Sequence, residues 1–110
     1  MKFKVARIIL FTNQMDAMTA FYRDVMGLKL VTEENGWREF DAGGARLALH
    51  SGPPSPGQKG PKIVFRASDV AAARLQLTRR GAQFGKVRQG EFTLCDGKDP
   101  DGNPLQLSNR

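Results

Sequence analysis

The chain is poor in the residues that most often carry covalent or metal chemistry. Its 110 residues include one cysteine, Cys95, and one histidine, His50. A single thiol excludes an internal disulfide, which suits a reducing cytoplasm. In a strand, such a cysteine is expected to act as a small buried hydrophobe. A single imidazole excludes any metal site built from two histidines and a carboxylate within one subunit. No apolar run approaches the ~20 residues of a membrane helix, and the N-terminus lacks the apolar core and cleavage site of an export signal. The expected location is the cytoplasm, with no membrane partner.

What is present suits a folded domain. Hydrophobic residues make up 40% of the chain, too many for a disordered one. Seventeen Lys and Arg face 11 Asp and Glu, a net charge of +6. These cations are scattered, and only Arg79 and Arg80 are adjacent, at a helix end where cations favour the dipole. With no zinc-finger, basic-zipper or aromatic RNA-binding signature, nucleic acid is a weak expectation. An anionic ligand or a solvated basic surface accounts for the charge as well.

The chain repeats itself. Asp99 to Asn109 (DPDGNPLQLSN) has a weaker twin in Asp41 to Ser51 (DAGGARLALHS). Aligned, Asp41 meets Asp99, Gly44 meets Gly102, Leu47 meets Leu105 and Leu49 meets Leu107. Each copy reads as a turn released by glycine, then a strand with its leucines on one face. The apolar runs Arg7–Phe11 and Lys62–Arg66 open the two halves, and helices are expected from Gln14 to Met26 and from Asp69 to Arg80. Asn13 and Ser68 are the expected N-caps, and Gly27 and Gly81 the C-terminal glycines. The result is strand–helix–strand–strand–strand, twice.

Within the halves, Lys2 to Thr12 turns solidly apolar at Ile8, which predicts a strand covered on both faces. Met18, Phe21, Tyr22 and Val25 form one helical stripe. Asn35-Gly36 predicts a type I′ hairpin, with positive φ at both residues. The second hairpin is expected between Gln83–Arg88 and Glu91–Asp96, turning at Gln89-Gly90. The stretch 51–61 (SGPPSPGQKGP), with four of the six prolines, predicts a linker between module 1–52 and module 61–110 of a single domain. The polar turn from Lys98 to Asn103 lacks the spacing and terminal Glu of an EF-hand loop.

Two segments, Ala20-Phe21-Tyr22-Arg23-Asp24-Val25-Met26-Gly27-Leu28 and Asp99 to Leu107, resemble the most recognisable stretches of the vicinal oxygen chelate superfamily. That is the group of glyoxalase I, bleomycin-resistance proteins and extradiol dioxygenases, and the resemblance covers essentially the whole chain. It implies an α+β fold of two βαβββ modules whose strands form a cupped mixed sheet around a ligand cavity, in a homodimer. Whether the modules pair within one chain or across two stays open. The resemblance also implies that catalytic members hold a divalent metal at positions that fall here on Arg7, Ala48, Lys62 and Gln106. Arginine has no acceptor, alanine no donor atom, and lysine is normally an ammonium, so only Gln106 could ligate. The expectation is therefore no metal and no cofactor.

The same strand face offers Arg7, Arg46, His50, Lys62, Gln106 and Ser108, with Trp37 as a wall or a packing aromatic. Arginine can clamp a carboxylate or phosphate through paired hydrogen bonds, and lysine can supply a point charge. The plain alternative is that these groups reach solvent or pair with Glu33, Glu39 or Asp41. His50 is a weak candidate base. Three readings follow. One is a metal-free dimeric protein that binds a small anionic or polar molecule. Another is a glyoxalase-type lyase or isomerase with unconventional ligands such as Gln106 and His50. The third is a nucleic-acid or protein interaction module.

Overall fold

Alternation in the closing strand of each half sets the layering, because leucines two apart turn to the same side of a sheet. A computed structural model describes residues 1–57 and 59–110; Gln58, inside the expected linker, lies outside the described residues. The chain divides into two compact units, Met1–Ser55 and Pro56–Arg110, with the boundary inside the proline-rich stretch. The first holds β1 (Arg7–Thr12), α1 (Met15–Ala20) running into a π-helical turn (Phe21–Val25), β2 (Lys29–Glu34), β3 (Trp37–Asp41) and β4 (Arg46–Ser51). The second holds β5 (Ile63–Arg66), α2 (Val70–Arg79), β6 (Gln83–Phe84), β7 (Leu94–Lys98) and β8 (Pro104–Ser108). The strand orders are β1-β4-β3-β2 and β5-β8-β7-β6, the same topology in each unit. In both, the first and last strands pair in parallel and the other pairings are antiparallel. The fold is α+β, two βαβββ modules, as the repeat and the resemblance predict.

Each unit buries one face of its sheet under its helix. In the first, Phe40, Leu47 and Leu49 are buried, as are Met18 and Tyr22 from the helical segment. The Tyr22 ring lies 6.1 Å from Phe40 and meets Phe21 edge-on at 5.1 Å. In the second, Leu105, Leu107, Cys95 and Phe84 are buried, as are Val70 and Leu77 of α2. Each fully buried aliphatic or aromatic side chain contributes about 1.5–3 kcal/mol. Burial is also what pushes the Cys95 thiol up from its ordinary value, so it stays protonated and serves as packing.

Several local expectations are corrected. The first helix is not α-helical throughout. It widens at Phe21, where the Met26 amide reaches back five residues to the Phe21 carbonyl at 2.9 Å. Gln14, not Asn13, is its N-cap, and the Thr12 hydroxyl accepts from the Gln14 amide at 3.0 Å. Asp69, not Ser68, caps α2, its carboxylate accepting from the Ala72 amide at 3.0 Å. Gly27 and Gly81 do take positive φ, at 76° and 98°, just past the helical segments. At the first hairpin only Gly36 is positive (φ 73°) and Asn35 is not, which rules out type I′. In the twin turns the positive φ falls on Gly102 and on Gly43, not Gly44. Ser51 belongs to β4 and not to the linker.

The second hairpin differs most. Its strands pair Gln83 with Lys98 and Phe84 with Gly97, and only an isolated bridge joins Arg88 to Leu94. Residues 91–93 are not strand. At the paired end, Gly97 lets Phe84 pack directly on the β7 backbone. Strand β1 is shorter than expected and is a sheet edge, so Ile8 and Phe11 remain about half exposed and are not covered on both faces.

A Cβ at Gly97 would lie 2.7 Å from the Gln83 carbonyl oxygen and 2.7 Å from Cδ1 of Phe84. One of those neighbours is backbone and cannot swing away. Gly97→Ala should therefore lower stability by about 1–3 kcal/mol. Urea denaturation would read this directly, and an unchanged midpoint would refute the close packing of β6 on β7.

Candidate functional site

The helix-free face of each sheet is arranged in rows by the strand register. In the first unit one row joins Arg7, Arg46 and Asp41, the next Ile9, Ala48 and Glu39, and the third Phe11, His50 and Trp37. In the second unit Val64, Gln106 and Asp96 form one row, and Arg66, Ser108 and Leu94 the next. Glu39 and Asp96 therefore hold equivalent places, each opposite a position that the resemblance reserves for a metal ligand.

Both carboxylates are taken up by cations. The Glu39 side chain is 10% exposed. It lies 3.4 Å from Nε of Arg7 and accepts from Arg46 Nη1 at 3.0 Å and from Trp37 Nε1 at 3.2 Å. A buried charge is tolerated only when paired and hydrogen-bonded, and the two hydrogen bonds together with the Arg7 ion pair meet that condition. The side chains of Arg7 and Arg46 remain 45% and 49% exposed. Neither has a second side-chain partner among the described residues, so most of their N–H groups are left without one. A groove of about 480 Å³ opens beside this charged row, flanked by Lys4, Asp41 and Arg46.

In the second unit Asp96 accepts from Lys62 Nζ and from Gln106 Nε2, each at 2.9 Å, and pairs with Arg88. Partial burial works against the Asp96 charge. The hydrogen bonds from Gln106 and Lys62, with the charges of Lys62 and Arg88, outweigh it and hold the carboxyl below its ordinary value. Sequence reasoning weighed Glu39 as a partner for the cations but missed Asp96 and Arg88. The available signal was Asp96 itself, at the end of the expected strand Glu91–Asp96, once that strand is continued through Gly97 to Lys98.

The remaining candidates are placed as follows. His50 is exposed at the end of β4, and its Nδ1 lies 2.8 Å from the Ser51 carbonyl oxygen. A carbonyl only accepts, so Nδ1–H donates, and in the neutral ring Nε2 is left as an acceptor. The imidazole lies 5.3 Å from the Phe11 ring and 5.7 Å from Trp37. Ser108 is buried, and its hydroxyl accepts from the Arg110 amide at 3.1 Å. The structure thus groups Arg7 with Arg46, Lys62 with Gln106, and His50 with Trp37.

The sequence from residue 4 to residue 107 matches the family model of the glyoxalase/bleomycin resistance protein/dioxygenase superfamily. The chain belongs to that superfamily. It is 33% identical to biphenyl-2,3-diol 1,2-dioxygenase 3 of Rhodococcus globerulus, over 94% of this chain and 62% of that enzyme. It therefore spans about three fifths of the length of the curated relative it matches. Among solved structures, lactoylglutathione lyase from Agrobacterium tumefaciens superimposes with a TM-score of 0.77 at 22% identity, covering 97% of this chain and 93% of that one. An antibiotic-binding protein from a Streptomyces species gives 0.81 at 20% identity, covering 96% and 94%. At these identities the two structures attest the fold alone.

Membership in the superfamily raises the question of a metal. Arg7 and Lys62 are cations already engaged by carboxylates, Ala48 has no ligating atom, and only the Gln106 side-chain oxygen is suitable. Among the described residues no three His, Cys, Asp or Glu side chains gather in one place. This donor set does not fit a divalent ion.

Because the folded Asp96 carboxyl is depressed, its stabilising contribution is present above the unfolded value of about 3.9 and is lost as pH falls through the folded value. Asp96→Asn should be less stable than wild type at pH 7, and the gap should close in strong acid. Parallel denaturation curves at pH 7 and below about pH 3 would test this. A gap that does not depend on pH would exclude the charged cluster as its cause.

Proposed function

We propose that the protein binds a small anionic molecule on its open sheet faces without a metal. The observation that carries this reading is the pair of half-exposed guanidiniums held side by side on the buried Glu39 carboxylate. One internal carboxylate leaves the trio with a net positive charge. It fixes the two forks while leaving most of their donors unused. Planar forks with free N–H groups suit carboxylate or phosphate oxygens, and they lose little freedom when an anion arrives. The antibiotic-binding protein from Streptomyces lends support, since it combines a similar fold with the binding of a small molecule.

The working form on this reading is a homodimer. Phe3, Val5 and Ile8 are 87%, 67% and 49% exposed, beside or within an edge strand, and a second copy would cover that apolar surface. Equilibrium sedimentation should give a dimer, and Ile8→Lys should shift it toward monomer. A wild-type monomer at all concentrations would remove this part of the proposal.

Ligand binding is best tested by thermal shift in excess EDTA, against a panel of small carboxylates and phosphate monoesters. Bound ligand stabilises by mass action, so a hit at a hundredfold excess over Kd should be worth about 2.7 kcal/mol. Arg7→Gln and Arg46→Gln, made singly so that Glu39 keeps one cation, should each weaken the shift while leaving the fold intact. The competing reading is a metal-dependent lyase or isomerase using Gln106 and His50. Turnover that is lost to chelator and restored by Ni²⁺, Zn²⁺ or Mn²⁺ would replace the proposal with that one.

A further inference from the structure

The two open faces are not chemically equal, and the difference narrows the ligand. Both carry a clamped carboxylate. Only the first unit adds an aromatic row: Phe11, His50 and Trp37 lie side by side in register, where the second unit has Arg66, Ser108 and Leu94. Phe11 is 50% exposed and His50 is exposed, although apolar rings are normally placed inside. The His50 ring meets Phe11 at a tilt and Trp37 edge-on, so the three rings form one continuous row. Between this row and the arginines lie Ile9, 42% exposed, the buried Ala48 and the Glu39 carboxylate that Arg7 and Arg46 neutralise. Along β1 and β4 the face thus runs from cation, past Ile9 and Ala48, to aromatic, with the neutralised Glu39 on β3 beside the step.

Residues two apart on a strand are ~6.6 Å apart, so the arginine row and the aromatic row are about 13 Å apart at the backbone. Arginine side chains leaning inward shorten that span. A one-ring acid held by the arginines would cover Ile9 and stop short of the rings, whereas a fused two-ring body would reach them.

We propose that this face of the first unit takes an aromatic carboxylate with at least two rings, its acid on the outward N–H groups of Arg7 and Arg46 and its far ring against Phe11, His50 and Trp37. The proposal rests on the reading above, that the arginine pair receives a small anion. Trp37 also links the two ends, because its indole N–H is bound to the carboxylate that holds the arginines. A ring stacked on Trp37 and an anion at Arg46 would both bear on that one hydrogen bond.

Isothermal titration with 2-naphthoate, its fully saturated analogue and its neutral carboxamide separates the contributions, at fixed ionic strength and in EDTA. Trp37 is the single tryptophan, so its indole N–H gives one resonance that reports occupancy of the aromatic row. The expected result is saturable 2-naphthoate binding that moves the indole resonance, with the saturated acid and the carboxamide both weaker. Phe11→Ala should weaken 2-naphthoate by roughly two- to tenfold, the worth of one aromatic contact, and should leave the saturated acid unchanged. Phe11→Leu, which keeps apolar bulk, controls for any loss of folding and should weaken 2-naphthoate in the same direction. If both acids bind equally and both need Arg46, the aromatic proposal falls and the anion reading stands. If the carboxamide binds as well as the acid, the pairing of charge with ring is refuted. If no acid binds and the arginine variants change nothing, the anion reading itself falls.

Discussion

A carboxylate surrounded by cations, on the third strand of each module, is the constraint from which the character of both sheet faces follows. Glu39 and Asp96 sit opposite Ala48 and Gln106 in register, and each gathers the basic residue at the start of its own module's first strand, Arg7 within β1 and Lys62 just before β5. Remove either and two like charges would be left facing each other with their hydrogen bonds unmade. That cost is carried by the geometry of β3 and β7, so the positions of Arg7, Arg46, Lys62 and Arg88 are set by acids rather than by a ligand. Their unused donors are what a ligand would find.

This arrangement also explains how a member of the superfamily can lack the usual donor set and keep its fold. In each module the leucine face and the helix supply the apolar burial. The opposite face has only to avoid unpaired charge. Cation–carboxylate clusters meet that requirement from side chains alone, without an ion to neutralise a group of acids. The two modules reach the same solution with different residues. The first uses two arginines and an indole N–H; the second uses a lysine, a glutamine amide and an arginine from the irregular segment before β7. Since duplication preserved the topology and not the residues, the faces were free to diverge, and only one acquired aromatic rings.

Much of the fold was legible in the chain because it rests on local rules. Alternating leucines at 47, 49, 105 and 107 announce strands with one buried face, and Gly27 and Gly81 end the helical segments where positive φ is needed. The errors came where local rules compete. Asn13 and Ser68 are good caps by type, yet Gln14 and Asp69 occupy the cap positions. Asn35-Gly36 suits a type I′ turn, but the pairing of Glu34 with Trp37 is closed with positive φ at Gly36 alone. Gly85 and Gly97 weaken any prediction of continuous strand, and the real second hairpin is broken between them.

For the candidate site the division is sharper. Composition alone limited the metal chemistry, since one histidine and one cysteine cannot supply the usual ligands, and this holds for any arrangement of the chain. Periodicity alone assigned Arg7, Arg46, His50, Lys62 and Gln106 to strand faces away from the leucines. Which of these groups meet, and through which acid, depended on pairing between strands far apart in sequence. Asp96 faces Gln106 because β7 pairs with β8 in the register that sets Gly97 opposite Leu105. His50 lies between Phe11 and Trp37 because β4 runs between β1 and β3. Side-chain type and spacing are properties of the chain; adjacency across a sheet is a property of register, and register exists only once the strands have come together.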